Sequence, residues 1–301
     1  MKSIKASVSL FALVAFPIAA LAADAPGPDW AFMTPDPNAP APAQAGGGGG
    51  GGGGGAPPAA QPGVPQIVAA GKGQDVRPCN TCHTPSGNGQ PESANIRGLN
   101  AAYFQRQMAD FKSGARGGPR SGAMSMFAKG LSDDEVKDIA AYYAGLKPMQ
   151  WTKIQEAGNA PKTIVGRNSA RTKVEGSDTE AVGNRIIEVA DNPAAVRQQA
   201  GPAFVAYVPQ GSLDAGKTLV TTGGGGKTTA CTSCHGDNLQ GKDDVPALAG
   251  RSPVYIARQL YSFKNDVRKG PQATIMKGVA SKLTDNDVIA ISAYVSNMNP
   301  G

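Results

Sequence analysis

The 301-residue chain contains four cysteines and two histidines, and all six fall into two copies of one pattern. The first is Cys79-Asn80-Thr81-Cys82-His83 and the second is Cys231-Thr232-Ser233-Cys234-His235. Nothing of either type is left over. Cys-x-x-Cys-His is the attachment pattern of c-type haem. The two thiols form thioethers to the porphyrin vinyl groups, and the adjacent histidine lies under the iron as proximal ligand. The two-residue spacing matches the separation of the vinyls across one turn of chain.

Competing chemistries fit less well. A thioredoxin-like redox pair needs Cys-x-x-Cys alone and leaves a histidine after both copies unexplained. A zinc site built from Cys79, Cys82, Cys231 and Cys234 has acceptable ligand pairs, but they lie in separate repeats. Disulfides inside each motif would close loops too small to stabilise much. The stretch GGGGKTT before the second motif invites a phosphate-loop reading. That loop needs a glycine five positions before Gly226, where this chain has Thr221. The glycines read instead as flexible spacing ahead of the cysteines.

The offset of 152 residues between Cys79 and Cys231 extends well past the motif. YFQRQMADFKSGARGGPRSGAM from Tyr103 aligns without gaps with YIARQLYSFKNDVRKGPQATIM from Tyr255. LSDDEVKDIAAYYA from Leu131 aligns with LTDNDVIAISAYVS from Leu283, so the chain is a tandem duplication. With both histidines used proximally, the sixth ligand must be another residue type. A methionine thioether is the soft ligand suited to a haem that carries electrons. Across the repeat Met108 faces Leu260, Met126 faces Gly278, Met149 faces Gly301 and Met298 faces Leu146. Only Met124 and Met276 face each other, which makes them the distal candidates. Met126 rivals Met124 in the first module by adjacency.

The elements that must position these residues read as helices. Phe104, Met108 and Phe111 fall on one side of a helix over 101–114. Ser132 and Glu135 form a capping box for a helix over 133–146, with Val136, Ile139, Ala140 and Tyr143 at i, i+3, i+4 and i+7. Thr284 and Asp287 repeat that arrangement ahead of Val288, Ile291 and Val295. Asp133 and Asp134 are then helix N-terminal charges favoured by the dipole, not an acid/base pair. A short helix before each cysteine pair, a loop carrying methionine and a packed C-terminal helix make a small all-α haem domain. The haem would supply much of the core that roughly 85 residues struggle to build alone.

On these residues each module resembles a class I cytochrome c. The tandem pair, with YFQRQMADFKSGAR and YIARQLYSFKNDVR ahead of the methionines, resembles the two-haem cytochrome c4 type of periplasmic electron carrier. The resemblance covers about residues 64–148 and 211–298. It implies covalent haem at Cys79, Cys82, Cys231 and Cys234, with His83 and His235 as proximal and Met124 and Met276 as distal iron ligands. It implies an all-α fold of two cytochrome domains. It also implies single-electron traffic between respiratory or dehydrogenase donors and a terminal oxidase. Two closed coordination shells leave no open position for substrate, so an electron-transfer protein is expected, not an enzyme. An alternative is the cytochrome subunit of a periplasmic dehydrogenase. A haem peroxidase or gas sensor would need one open iron.

The remaining sequence sets the organisation. Residues 1–22 read as a signal peptide: Lys2 and Lys5 form the positive region, Val8 to Ile18 the apolar stretch, and Ala20-Leu21-Ala22 the cleavage site. No later stretch approaches the roughly 20 apolar residues that span a bilayer. A periplasmic protein without a transmembrane segment is expected, cleaved near Ala22. Its removal takes two lysines and no acid, so the formal charge falls from +6 to +4. Without a dense basic run, this balance indicates no nucleic-acid partner. Residues 23–63, including the glycine run 46–55, read as a flexible linker. The first cytochrome domain takes 64–148, a connector 149–210, and the second domain 211–301. The connector is longer than the family's short linker, and the apolar residues of GNRIIEVADNPAAVRQQAGPAFVAYVP imply that it packs on something. Lys112, Arg116, Lys264, Arg268 and Lys269 could guide an acidic partner, but a solvated basic face is the preferred reading, because exposed Lys and Arg are ordinary.

Overall fold

The structure is a computed structural model that describes residues 27–33, 63–118, 121–166, 170–176 and 178–301. The proposed signal peptide and the glycine run lie outside the described residues. A single turn, α1 (Asp29–Phe32), precedes the first module. That module comprises α2 (Gln66–Ala70), α3 (Asn80–His83), α4 (Ala101–Ser113), α5 (Gly122–Gly130) and α6 (Asp133–Ala144). The connector contains β1 (Thr152–Glu156), β2 (Asn159–Pro161), β3 (Thr163–Val165), β4 (Arg171–Lys173), β5 (Thr179–Ala181), β6 (Ile187–Ala190), α7 (Pro193–Gln198) and β7 (Phe204–Val208). The second module follows with α8 (Ser212–Gly226), α9 (Thr232–His235), α10 (Pro253–Lys264), α11 (Ala273–Ala280) and α12 (Asp285–Asn297).

The paired helices form where the residue pattern requires. At the start of α4 the Asn100 side chain accepts the Tyr103 N–H at 3.1 Å, and Gly114 closes the helix in the left-handed region at φ 80°. The helix buries Phe104, Met108 and Phe111. In α6 the capping box is complete: Ser132 N–H donates to Glu135 Oε2 at 2.7 Å, and Glu135 N–H donates to Ser132 Oγ at 3.2 Å. The buried face, Ile139, Ala140 and Tyr143, packs on α4, where the Phe104 and Tyr143 rings stack 6.2 Å apart. Thr284 and Asp287 make the same box for α12.

The glycines before the second motif are not flexible spacing. Gly223, Gly224 and Gly225 end α8 with φ of 69°, 63° and 70°, a left-handed turn that side chains resist. A Cβ on Gly223 would lie 2.2 Å from the Thr228 carbonyl oxygen. The turn folds the chain back so that Cys231 N–H donates to Val220 O at 2.9 Å.

The all-α expectation holds for the two haem modules and fails for the connector. Strands β1, β7 and β6 form a three-stranded sheet in the order β1-β7-β6, β1 parallel and β6 antiparallel to β7. Two short ribbons, β2 with β5 and β3 with β4, extend from it. Sequences such as Phe204-Val-Ala-Tyr-Val are β-branched and aromatic without a helical stripe, and they suit a pleated, packed surface. Ile154, Ala206 and Val208 join the core of the second module, continuous with Val220, Val288 and Ile291. The connector also grips both modules by polar contacts. Trp151 Nε1–H donates to Gly89 O at 3.1 Å in the first, and Gln150 Nε2 donates to Ser296 O at 2.7 Å in the second. The Glu188 carboxylate, 1 % exposed, accepts from Thr152 Oγ at 2.8 Å and from Ser252 Oγ, the N-cap of α10, at 2.6 Å. A carboxylate at a helix N-terminus is favourably placed in the dipole field.

Helices α8 and α12 cross closely at Gly216, where a Cβ would lie 2.1 Å from the Ala290 carbonyl oxygen. Gly216→Ala is expected to cost about 1–3 kcal/mol, the range for overpacking a tight contact. Denaturant unfolding measures it against Gly158→Ala, where a Cβ meets nothing within 4 Å. Equal stability of the two variants would show that the crossing tolerates a methyl group.

Candidate haem sites

Each Cys-x-x-Cys-His is wound into a single helical turn. Cys79 and Cys231 both take right-handed helical angles, with His83 N–H donating to Cys79 O at 3.0 Å and His235 N–H to Cys231 O at 2.9 Å. The turn brings residues three apart onto one side, so both thiols of a pair reach the same neighbour. Each histidine is then held by a carbonyl eleven residues on. His83 Nδ1 lies 2.7 Å from Ala94 O, and His235 Nδ1 lies 2.8 Å from Pro246 O. With Nδ1–H donating there, Nε2 carries the free lone pair, the arrangement common to metal-ligating histidines. Burial lowers both imidazole pKa values below the ordinary range, which keeps the rings in the neutral form that can ligate.

The cysteines do not converge. Among the described residues no three His, Cys, Asp or Glu side chains cluster as a metal site, and all four thiols stand unbridged. Burial pushes the Cys79 and Cys231 thiols up to about 11, opposite to the shift a reactive redox thiol needs. Each pair instead lines a cavity. In the second module the space is about 710 Å³, walled by Cys231, Cys234, His235, Met276, Leu283 and Val295. In the first it is about 200 Å³, walled by Cys79, Cys82, His83, Met124, Phe127 and Tyr143. Two thiols, an imidazole with one nitrogen tied back, a thioether and apolar walls fit a flat, covalently held macrocycle. The methionines lie on helices α5 and α11, not on a loop. Met124 and Met276 are half-buried, whereas Met126 is 55 % exposed and does not line the cavity.

Sequence reasoning missed the surface between the two cavities. Leu99, Tyr103, Gln107, Tyr255, Gln259 and Arg268 line both, so the long connector does not hold the modules apart. The contact has pseudo-twofold symmetry at the 152-residue offset. Arg116 donates to Gln107 Oε1, Tyr255 Oη and Gln259 Oε1 at 2.9, 3.1 and 3.0 Å. Arg268 donates to Gln259 Oε1, Tyr103 Oη and Gln107 Oε1 at 2.9, 3.3 and 2.5 Å. Each guanidinium stacks on its own module's aromatic ring, Arg116 on Phe111 at 4.5 Å and Arg268 on Phe263 at 4.2 Å. The backbones cross beside them, with Gly117 N–H donating to Val267 O and Lys269 N–H to Ala115 O. Arg116 and Arg268 are therefore not part of a solvated face: they are 8 % and 7 % exposed. Among the described residues neither forms an ion pair with a carboxylate. Their offset of 152 was visible in the alignment, but an alignment does not say that the two copies face each other.

The comparisons with known proteins agree with this architecture. A cytochrome c family model matches residues 213–299, and one for subunit III of cbb3-type cytochrome c oxidase matches residues 68–142. Cytochrome c-554(548) of Halomonas halodenitrificans is 36 % identical over 77 residues, 25 % of this chain and 93 % of that protein. The chain belongs to the cytochrome c family. Cytochrome c4 of Azotobacter vinelandii is 27 % identical, over 77 % of this chain and 89 % of its own length. A thiosulfate dehydrogenase electron acceptor of Stutzerimonas stutzeri is also 27 % identical, over 73 % of this chain and 78 % of its own. The crystal structure of reduced cytochrome c4 from Pseudomonas stutzeri superposes with a TM-score of 0.50 at 24 % identity. It spans 73 % of this chain and 93 % of that one, and so shares the fold. The chain is thus a cytochrome c4-like dihaem electron-transfer protein with two covalently bound haem c groups.

Removing either guanidinium strands buried hydroxyl and amide partners, at about 1–3 kcal/mol for Arg116→Met or Arg268→Met. Because both share Gln107 and Gln259, a double-mutant cycle is expected to be non-additive by more than about 0.5 kcal/mol. Simple additivity in unfolding free energies would mean that the two arginines act independently.

Proposed function

We propose that the protein is an exported periplasmic carrier that passes single electrons from a respiratory or dehydrogenase donor to an oxidase or similar acceptor. In this reading Cys79 and Cys82 hold one haem and Cys231 and Cys234 the other. His83 with Met124, and His235 with Met276, take the axial positions. The division of the chain is a signal peptide 1–22, a linker 23–63, cytochrome domains 64–148 and 211–301, and the connector 149–210. The observation that carries it is duplicated: a histidine and a methionine at matching positions line one apolar cavity beside a cysteine pair.

Haem iron supplies the one-electron couple, and thioether ligation raises its potential. The chain's own residues do the rest. The carbonyls of Ala94 and Pro246 fix the histidine rings, and the apolar walls limit water at the site. Arg116 and Arg268, buried and without carboxylate partners among the described residues, are suited to hold the haem carboxylates and neutralise them. The shared wall of the two cavities favours electron exchange within the molecule. Among the described residues no helix is long and apolar enough to cross a membrane.

The second reading, a cytochrome subunit of a periplasmic dehydrogenase complex, draws on the relative named as an electron acceptor of thiosulfate dehydrogenase. Stable co-purification with a dehydrogenase from periplasm would favour it over a free carrier.

In an optical redox titration the mature protein is expected to show two haem equivalents at clearly positive potential, and no carbon monoxide binding when reduced. Met276→Ala is expected to keep both haems attached and to open one iron to carbon monoxide. Met124→Ala does the same for the other, whereas Met126→Ala leaves the ligand bands unchanged. Unchanged spectra in Met276→Ala would overturn the ligand assignment.

A further inference from the structure

The two cavities differ where each meets the opposite module. The cavity of the second module receives Arg106, Gln107, Ala109 and Asp110 from α4. The cavity of the first receives Arg258, Gln259 and Ser262 from the matching face of α10, together with a residue that has no counterpart, Phe32. The repeat explains why Phe32 sits on one side alone. Where α4 has Ala109, α10 has Tyr261, and where α4 has Asp110, α10 has Ser262.

Tyr261 provides the docking surface. Its hydroxyl donates to Asp285 Oδ1 at 2.9 Å, which fixes the ring against the first turn of α12. Trp30 meets that ring edge-on, centroids 6.4 Å apart and planes at 71°. Ala31, Phe32 and Met33 are 0, 4 and 1 % exposed, as deep as any part of the second module's core. Gly27 passes so near that a Cβ would lie 2.8 Å from the Tyr261 ring and 2.9 Å from Phe32. A segment that precedes the first module in sequence is thus packed on the second, with one side chain in the wall of the first module's haem cavity.

We propose that Asp29–Met33 is a built-in seal on the haem of the first module, and that Phe32 raises the potential of this haem. The inference rests on the two-haem reading above. Oxidation adds a positive charge at the iron, and water or a carboxylate near the haem stabilises that state. An apolar side chain in their place disfavours it and raises the potential. The first cavity has Phe32 and Ser262 at this point, and its only carboxylate, Glu92, comes from its own module. The second has the Asp110 carboxylate and no cover from this segment.

The test is the potentiometric titration of holoprotein variants. In Phe32→Ala and Trp30→Ala the wave of the first module's haem, identified by its displacement in Met124→Ala, is expected to move down while the other stays. Phe32→Leu, which keeps an apolar plug, is expected to retain most of the wild-type potential. A shift of the second module's wave, an equal shift of both or no shift at all would each overturn the proposal. Covalent haem is counted in wild type and variants from the denatured protein, and the axial-ligand bands are recorded. Fewer than two haems or altered bands in the wild type would indict the two-haem reading itself, separately from the seal.

Discussion

In each module one hydrogen bond, from a histidine Nδ1 to a carbonyl eleven residues along the chain, sets the geometry on which the site depends. The cysteines can tether a haem to the chain but cannot aim a ligand at its centre. Tying Nδ1 back to Ala94 or Pro246 fixes the ring and leaves Nε2 as the nitrogen with a lone pair to offer. The intervening loops are shaped to deliver that carbonyl. Gly89 and Gly241 N–H groups return to the carbonyls of His83 and His235, both at 2.9 Å. The helices α4 and α6, and their copies α10 and α12, then close around a space instead of a solid core.

The duplication produces an interface as well as two modules. Placing the copies face to face puts Tyr103, Gln107 and Arg116 against Tyr255, Gln259 and Arg268, and each guanidinium finds the other module's tyrosine and glutamine. A buried cation without a carboxylate is costly in an empty protein. It becomes reasonable when the wall it sits in belongs to cavities for two anionic cofactors. The outer contacts are of a different kind. Arg106 and Asp244 pair at 2.7 Å but are 30 % and 47 % exposed, so solvent and salt screen them, and such pairs are worth about 0–1 kcal/mol. Orientation of the modules therefore depends on the buried set and on the connector.

That connector is the clearest departure from two beads on a string. Its sheet completes the core of the second module, while Trp151 reaches the loop behind His83 and Glu188 caps α10. Together with Arg251, whose Nη1 donates to Asn95 O and Asn95 Oδ1 at 2.8 and 3.0 Å, it binds the first module's proximal loop to the second. The insertion works as a brace. The helical modules could be read from local rules: capping boxes at Ser132 and Thr284 and apolar stripes at 3.6 spacing. The connector strands are three to five residues long, and the parallel pair of β1 with β7 joins positions about fifty apart, such as Thr152 with Phe204. No local period announces such a parallel pair.

The sequence by itself determined the chemistry. Thiols, imidazoles and thioethers have few soft-ligand substitutes, so their types, spacing and repetition at 152 residues point to the cofactor and to the candidate ligands without any fold. Tertiary structure alone decided which charges are buried, where Phe32 goes and how the modules meet. Arg116 and Arg268 have the composition of surface residues, and Trp30 to Met33 are a few apolar residues beside a proline-rich stretch. Their burial depends on surfaces supplied by residues more than a hundred positions away. Ligand chemistry is a property of a residue and its near neighbours, whereas burial is a property of what the folded chain brings against it.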